Sequence, residues 1–342
     1  MTAVVTFGEI MLRLSPPGFE RFFQSPLLTA TFGGGEANVA VSLAHFGLSS
    51  YYVTRVPAHA IGEAAVRALR AEGVRTDFVL RGGERLGIYF AEAGASQRPS
   101  TVIYDRHRSS VSEMDPTAID WPTVLRGATW FHVTGITPAL GRKATECTTA
   151  ALTAARAAGV RTSLDLNFRR KLWSQAEAQA VMRPLVSQVD VVMANEEDIP
   201  ATLGLEVEGS NVLAGQLNVS AYERTARRVS TELGPRLVAI TLRESTSASE
   251  NGWSAALWDA DHGMWHQSRR YSVRMVDRIG GGDAFAAGLI YAVLVGRDPA
   301  SALQFAVAAS ALKQTIPGDF NRVSVAEVDR LVDGDASGRV QR

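Results

Sequence analysis

Cysteine is almost missing from this 342-residue chain, Cys147 standing alone. No internal disulfide can form, and no CxxC or Cys/His cluster suggests structural zinc. A reducing cytoplasm suits such a chain. Lysine is scarce too: only Lys143, Lys171 and Lys313 occur, arginine supplying the other thirty-two basic side chains, so lysine chemistry is confined to three positions. Neither sign of charge is in excess, because 35 basic and 35 acidic side chains cancel. With no long run of one sign, neither nucleic acid nor an anionic membrane is expected as a partner. No apolar run approaches the ~20 residues that cross a bilayer. The first residues, Met1 into Val4-Val5-Thr6-Phe7-Gly8, read as a strand without the basic and apolar regions of a signal peptide. A cytoplasmic protein acting on small molecules is the expectation.

Missing motifs narrow the chemistry further. There is no Walker A sequence, none of the ordered protein-kinase signatures, and no G-x-G-x-x-G after the first strand. If the chain handles a nucleotide, it does so with another architecture.

What is present is glycine where helices begin. In Val276-Asp277-Arg278-Ile279-Gly280-Gly281-Gly282-Asp283, three glycines and an aspartate precede Ala284 to Val295, which has the small, apolar composition of a buried helix. The N–H groups of Gly280 to Asp283 are then donors of a first turn, suited to phosphate. Asp283 at that turn can accept a proton from an attacking hydroxyl; it would equally serve as an ordinary N-cap. Gly33-Gly34-Gly35-Glu36-Ala37-Asn38 opens another helix and offers main chain and an amide to sugar hydroxyls, or only a glycine-rich cap.

The pattern predicts an α/β fold: a doubly wound, mostly parallel sheet flanked by helices, with a small β-sheet lid. The length allows one α/β domain, here 1–332, followed by a polar tail at 333–342. Lid strands are expected from about 13–30 and 78–106, the segments Phe78–Leu80, Gly87–Glu92 and Thr101–Arg106 pairing antiparallel. Two polar or Gly-rich stretches, 204–220 and 244–252, read as loops. In open α/β sheets ligands bind beyond the carboxyl ends of the strands. Asp165 to Arg170 and Asn195-Glu196-Glu197-Asp198 follow strands there. The acidic cluster suits Mg²⁺ held through water, or N-capping of the next helix. Tyr89, Tyr104 and Arg106 lie on lid segments, the last two on one face, where an arginine would favour an anionic substrate.

Together these residues resemble the ribokinase-like family of carbohydrate kinases over nearly the whole chain. The carriers are the Gly-Gly-x-x-x-Asn of Gly33, Gly34 and Asn38 and the Asp-x-x-Gly-x-Gly-Asp of Asp277, Gly280, Gly282 and Asp283. Segments Gly8–Pro16, Gly135–Leu140, Asp165–Trp173 and Ile316–Asn321 look like the branch acting on 2-keto-3-deoxy sugar acids. The resemblance implies ATP as phosphate donor, Mg²⁺, a monovalent-cation site, and a homodimer with a β lid over the sugar. It implies Asp283 as the base for the 6-hydroxyl, with Gly280, Gly281 and Gly282 stabilising the transferring phosphoryl group. Gly34, Asn38, Tyr89, Tyr104, Arg106 and Asp319 match sugar-binding positions. Asn167 and Arg169 match positions near the phosphates, and Arg169 alternatively reaches a substrate carboxylate. Asn195, Thr241 and Arg243 fall at nucleotide positions. The family's Asn-x-x-Glu ends in Asp198 here, so the metal-water role falls on Glu197 or Asp198. Thr241-Leu242-Arg243-Glu244-Ser245 replaces the usual Gly-x-x-Gly, and Arg278 the commoner Thr. A kinase for a neutral sugar such as fructose or ribose, a catalytically silent sugar-binding protein, and a dinucleotide-dependent oxidoreductase are the competing readings.

Overall fold

A computed structural model describes residues 2–207, 219–335 and 338. In chain order its elements are β1 (Ala3–Phe7), β2 (Met11–Ser15), β3 (Thr29–Gly33), α1 (Gly35–His45), β4 (Ser49–Val56), α2 (Ala60–Ala71), β5 (Val79–Arg81), β6 (Gly87–Glu92), β7 (Thr101–Asp105), α3 (Trp121–Val124), β8 (Trp130–Thr134) and α4 (Arg142–Ala157). There follow β9 (Arg161–Asp165), α5 (Gln175–Val186), β10 (Val191–Asn195), α6 (Asp198–Leu203), α7 (Val219–Leu233), β11 (Leu237–Ser245), β12 (Glu250–Asp259), β13 (Met264–Gln267), β14 (Tyr271–Arg274), α8 (Gly281–Leu294), α9 (Pro299–Lys313) and α10 (Val325–Val332).

The main sheet runs β13-β12-β11-β10-β9-β8-β1-β4-β5, with β14 also paired to β12. From β11 to β5 every pairing is parallel, and β12 returns antiparallel along β11. Parallel strands are buried on both faces and so read as continuous apolar runs. Alternate side chains go to opposite cores. Val5, Val192, Val238 and Ile240 pack with Cys147, Leu152 and Met182 of α4 and α5. Val4, Val191, Met193 and Ala239 pack on the other face with Leu43, Phe285, Leu289 and Phe305 of α1, α8 and α9. Helix α8 is apolar on all sides, as a helix buried within a core must be. Its Gly288 lets α9 approach so closely that an added Cβ would sit 2.8 Å from Ala306 Cα.

A second, four-stranded sheet, ordered β3-β2-β6-β7, stands over the carboxyl ends of the main strands. β2 pairs β6 in parallel, while β2–β3 and β6–β7 are antiparallel. The lid differs from expectation in two ways. Residues 16–28, between β2 and β3, form no strand. The segment read as a lid strand at Phe78–Leu80 is β5, which lies parallel to β4 at the edge of the main sheet; a three-residue strand carries too little pattern to reveal its partner. The loop expected at 244–252 also proves mostly strand, because β11 and β12 pair out to Ser245 and Asn251, leaving only a short turn. Most of the loop expected at 204–220 and most of the tail at 333–342 lie outside the described residues. Among the described residues, no helix is long and apolar enough to cross a membrane.

Candidate active site

Strand order reverses between β8 and β1, and at that switch point the carboxyl ends open a crevice. A cavity of about 480 Å³ fills it. The residues given a catalytic, sugar, nucleotide or metal role from the sequence all line this one cavity: Gly34, Asn38, Tyr89, Tyr104, Arg106, Asn167, Arg169, Asn195, Glu197, Asp198, Thr241, Arg243, Gly280, Gly281, Gly282, Asp283 and Asp319; the motif residues Gly33 and Asp277 do not.

The two glycine motifs meet at Asp283. Helix α8 begins at Gly281, three residues earlier than its apolar run suggests, and Gly280 precedes it at φ 84°, a left-handed conformation natural to glycine. An added Cβ there would lie 2.3 Å from Asp319 O, so the turn tolerates no side chain. Gly281 N–H is taken by Arg278 O, and the first intrahelical bond is Ala284 N–H to Gly280 O. The N–H groups of Gly282 and Asp283 therefore precede the helical ladder and are the turn's donors toward the cavity. Asn38, in the first turn of α1, donates from Nδ2 to Asp283 Oδ2 at 2.7 Å and accepts from Gly34 N–H at 3.3 Å. Burial pushes the Asp283 carboxyl up to about 6, the Asn38 bond opposing and the charge of Asp319 adding to that rise. At neutral pH it is still ionised, which suits a general base.

The lid closes one side. Tyr89 donates to Asp319 Oδ2 at 2.5 Å, and Arg13 bridges Asp319 and Asp277 at 2.7 Å each. Arg106 is buried, ion-paired with Glu9 through Nε at 2.8 Å and through Nη2, and lies over the Tyr104 ring. Its charge is thus already compensated. Tyr104 remains partly exposed at the cavity mouth.

The opposite side is set by the ends of β9, β10 and β11. Asn167 adopts φ 39°, an uncommon left-handed conformation that asparagine tolerates. It turns the chain so that Arg169 comes under the influence of Asp165, Asp198 and Asp283, whose charges it stabilises. Asp198 accepts from Phe168 N–H and Asn195 N–H, both at 3.0 Å, tying two strand ends together; burial pushes its carboxyl up. Asn195 Oδ1 in turn caps Glu197 N–H and Asp198 N–H at 2.8 and 3.0 Å. Glu197 is exposed, while the buried Glu196 approaches Arg243 at 3.4 Å. Thr241 hydroxyl donates to Ala194 O at 3.3 Å.

The cavity also contains Asp165, Glu196 and Arg278, which the sequence reading named without a site role of their own, and Asn251, Trp253 and Gln314, which it did not select. Burial, then the charges of Asp198 and Asp283, push the Asp165 carboxyl well up. Asp165 carried a signal, being the last residue of a strand. Asn251 and Trp253 carried none, since they enter through the pairing of β12 with β11, in a stretch whose polarity reads as loop. Arg243 and Arg278 lie near enough for Arg243 to lower the Arg278 pKa further after burial has done so. Two adjacent guanidiniums in a cleft favour a polyanion there.

A doubly wound sheet, an anion-binding helix start with a carboxylate in it, and a sheet over the opening define a phosphoryl transferase for a small hydroxylated substrate. Residues 1–322 match the pfkB family of carbohydrate kinases, and the chain belongs to that family. It is a carbohydrate kinase with a ribokinase-like fold. Among solved structures, the 2-dehydro-3-deoxygluconokinase of Thermotoga maritima is similar, with TM-score 0.94 and 49% identity over 98% of this chain and 100% of that one. Among curated relatives, the 2-dehydro-3-deoxygalactonokinase of Haloferax volcanii is 33% identical over 99% of each chain. The 2-dehydro-3-deoxygluconokinase of Thermoproteus tenax is 27% identical over 93% of this chain and 90% of its own. The oxidoreductase reading finds no support in these likenesses.

Proposed function

We propose that this carbohydrate kinase phosphorylates the 6-hydroxyl of 2-keto-3-deoxy-D-gluconate, also called 2-dehydro-3-deoxygluconate, giving the 6-phosphate and ADP. The observation that carries the chemistry is Asp283, ionised at neutral pH, held by Asn38 at 2.7 Å at the head of α8. The 6-hydroxyl proton passes to Asp283, the sugar oxygen bonds to the γ-phosphorus of ATP, and the bond to the bridging oxygen of ADP breaks. N–H groups of Gly282 and Asp283 receive the charge on the transferring phosphoryl oxygens, with Gly280 and Gly281 shaping the turn. The sugar lies between Gly34, Asn38, Tyr89, Tyr104, Arg106 and Asp319. Arg106 is ion-paired with Glu9, whereas among the described residues Arg169 makes no ion pair; Arg169 is therefore the cation for the substrate carboxylate, and Asn167 sets its direction.

The nucleotide lies toward Asn195, Thr241 and Arg243. Mg²⁺ supplies charge neutralisation on the phosphates when bound. The oxygen donors Glu197 and Asp198 suit that hard cation, which keeps much of its water and needs only one or two carboxylates. Asp198 would hold it through water, since both its oxygens already accept backbone bonds. We also propose one α/β unit over 1–332, a cytoplasmic location, and a homodimer through the lid sheet.

The test is release of ADP with ATP and Mg²⁺, comparing 2-keto-3-deoxygluconate with its galacto epimer, fructose, ribose and gluconate at equal concentrations. Selective turnover of the keto acid is expected. The name of the Haloferax relative favours including the epimer; preference for it would move the assignment by one stereocentre. Turnover of fructose or ribose alone would overturn the acid-substrate reading, and silence with all five would favour a sugar-binding role.

A further inference from the structure

Lys313 is one of three lysines in the chain, and it is fully buried at the end of α9. A buried ammonium must find partners for all its N–H groups or lose its charge. Here the partners are main-chain oxygens: Gly318 O at 2.6 Å, Asp277 O at 3.3 Å and Ile316 O at 3.5 Å. Among the described residues no carboxylate forms an ion pair with it, and the nearby Asp277 and Asp319 are both engaged by Arg13. Burial lowers the Lys313 pKa, while the charges of Asp277, Asp319 and Asp283 support the ammonium form.

Its position is as telling as its partners. The lysine stem runs under the anion-hole turn, so that a Cβ on Gly280 would lie 3.1 Å from Lys313 Cε. The same stretch of α9 grips the turn directly: Ser310 hydroxyl donates to Gly281 O at 2.7 Å, and Gln314 O accepts from Val276 N–H and Asp277 N–H. Carbonyl oxygens converging on a single positive charge are the surroundings in which a dehydrated monovalent cation is held. A lysine ammonium is a compact point charge of comparable kind.

We propose that Lys313 Nζ is a tethered monovalent cation, which joins the Asp277 and Ile316–Gly318 backbone under the Gly280–Asp283 turn and makes this enzyme independent of free K⁺. The carbonyls of Asp277, Ile316 and Gly318 are already spoken for, so they do not fit a separate ion. Lys313 is a positioning residue: it acts on the phosphoryl group through the turn above it. Its catalytic consequence rests on the kinase reading; its cation-like character does not.

The experiment has two readouts. Turnover by the unaltered enzyme should agree within about two-fold in K⁺, Na⁺ and tetramethylammonium salts at equal ionic strength. Lys313→Ala should lose about a hundred-fold in kcat, the order expected when a positioned group shifts by an ångström. K⁺ or NH₄⁺, but not tetramethylammonium, should restore much of that loss. The melting temperature, which needs no turnover, should rise with K⁺ or NH₄⁺ in Lys313→Ala and stay unchanged in the parent. Strong stimulation of the parent by K⁺ would overturn the proposal, as would a variant whose kcat and melting temperature ignore K⁺. If the variant does not fold, the parent's cation series decides. If the parent phosphorylates no sugar, the kinase reading falls while the melting comparison still judges the tethered cation.

Discussion

At the scale of single residues, Asp283 decides whether this cavity is a catalyst or only a binding site. Replacing it by Asn keeps size and the contact with Asn38 while removing the proton acceptor. Asp283→Asn should lower kcat by about 10²–10⁴-fold, the usual worth of a general base, and leave sugar binding by calorimetry within a few-fold. Near-normal turnover would remove Asp283 from that role. Its pKa is raised to about 6, so the base is protonated below that pH, and log kcat/KM should fall with unit slope as pH drops through 6. Arg169 gives a sharper test of substrate charge. Arg169→Met should raise KM for the keto acid at least ten-fold, about 1.4 kcal/mol, with a smaller effect on a neutral analogue; equal losses would place Arg169 with the phosphates. Most of this chemistry was legible because glycine followed by Asp or Asn at a helix start is a local signal. Lys313 and Trp253 were not, since burial under a turn or entry by strand pairing is decided by residues far away in sequence.

Among elements, the junctions matter more than the elements themselves. Helices α8 and α9 form a pair whose contact fixes the anion-hole turn through Ser310 and Gly281 O. Ser310→Ala removes one of two donors to Gly281 O, which as the first residue of α8 also accepts from Phe285 N–H, and should destabilise by about 0.5–1.5 kcal/mol, with kcat falling while sugar KM holds. A stable variant with unchanged kcat would show that the turn holds itself. A second junction joins α1 to the end of β8. Glu36 Oε1 accepts from Thr134 N–H at 2.8 Å, Thr134 hydroxyl at 2.9 Å and Thr137 hydroxyl at 2.6 Å, inside the protein. Burial pushes its carboxyl up to about 7 despite those bonds. A carboxyl raised on folding favours the folded state below its unfolded pKa, and that contribution is lost as pH rises through the folded value, here on the order of 3 kcal/mol between pH 4.5 and 7. Glu36→Gln should flatten the decline in denaturation midpoint between about pH 4.5 and 7; an unaltered slope would show that Glu36 ionises as freely folded as unfolded. The alternating β–α order made the main sheet readable, whereas β5 and the polar ends of β11 and β12 at 244–252 were misread because short or polar strands declare their partners only once the sheet exists.

For the whole molecule, the exposed face of the lid is the feature in need of a partner. Phe19, Phe23, Leu27 and Ile103 are 58%, 76%, 64% and 50% exposed, and all belong to the lid strands or the segment joining them. Exposed apolar groups on one small sheet and its connecting segment suit an interaction surface, and a chain with pI near 7.0 has little net charge to oppose self-association. On β7, Ile103 and Tyr104 are successive residues and so face opposite ways. Tyr104 faces the cavity, which leaves Ile103 on the outer side, where a second copy would seat. A partner there stiffens the strand that carries Tyr104 and, through β6, Tyr89. Light scattering after gel filtration should therefore give twice the 36.7 kDa chain mass, and Ile103→Asp should give the monomer. Because the outer face supports the inner one, that monomer should show a raised sugar KM with ATP KM unchanged. A monomeric parent, or an Ile103→Asp dimer with unaltered KM, would assign the lid's apolar face to something other than a second copy.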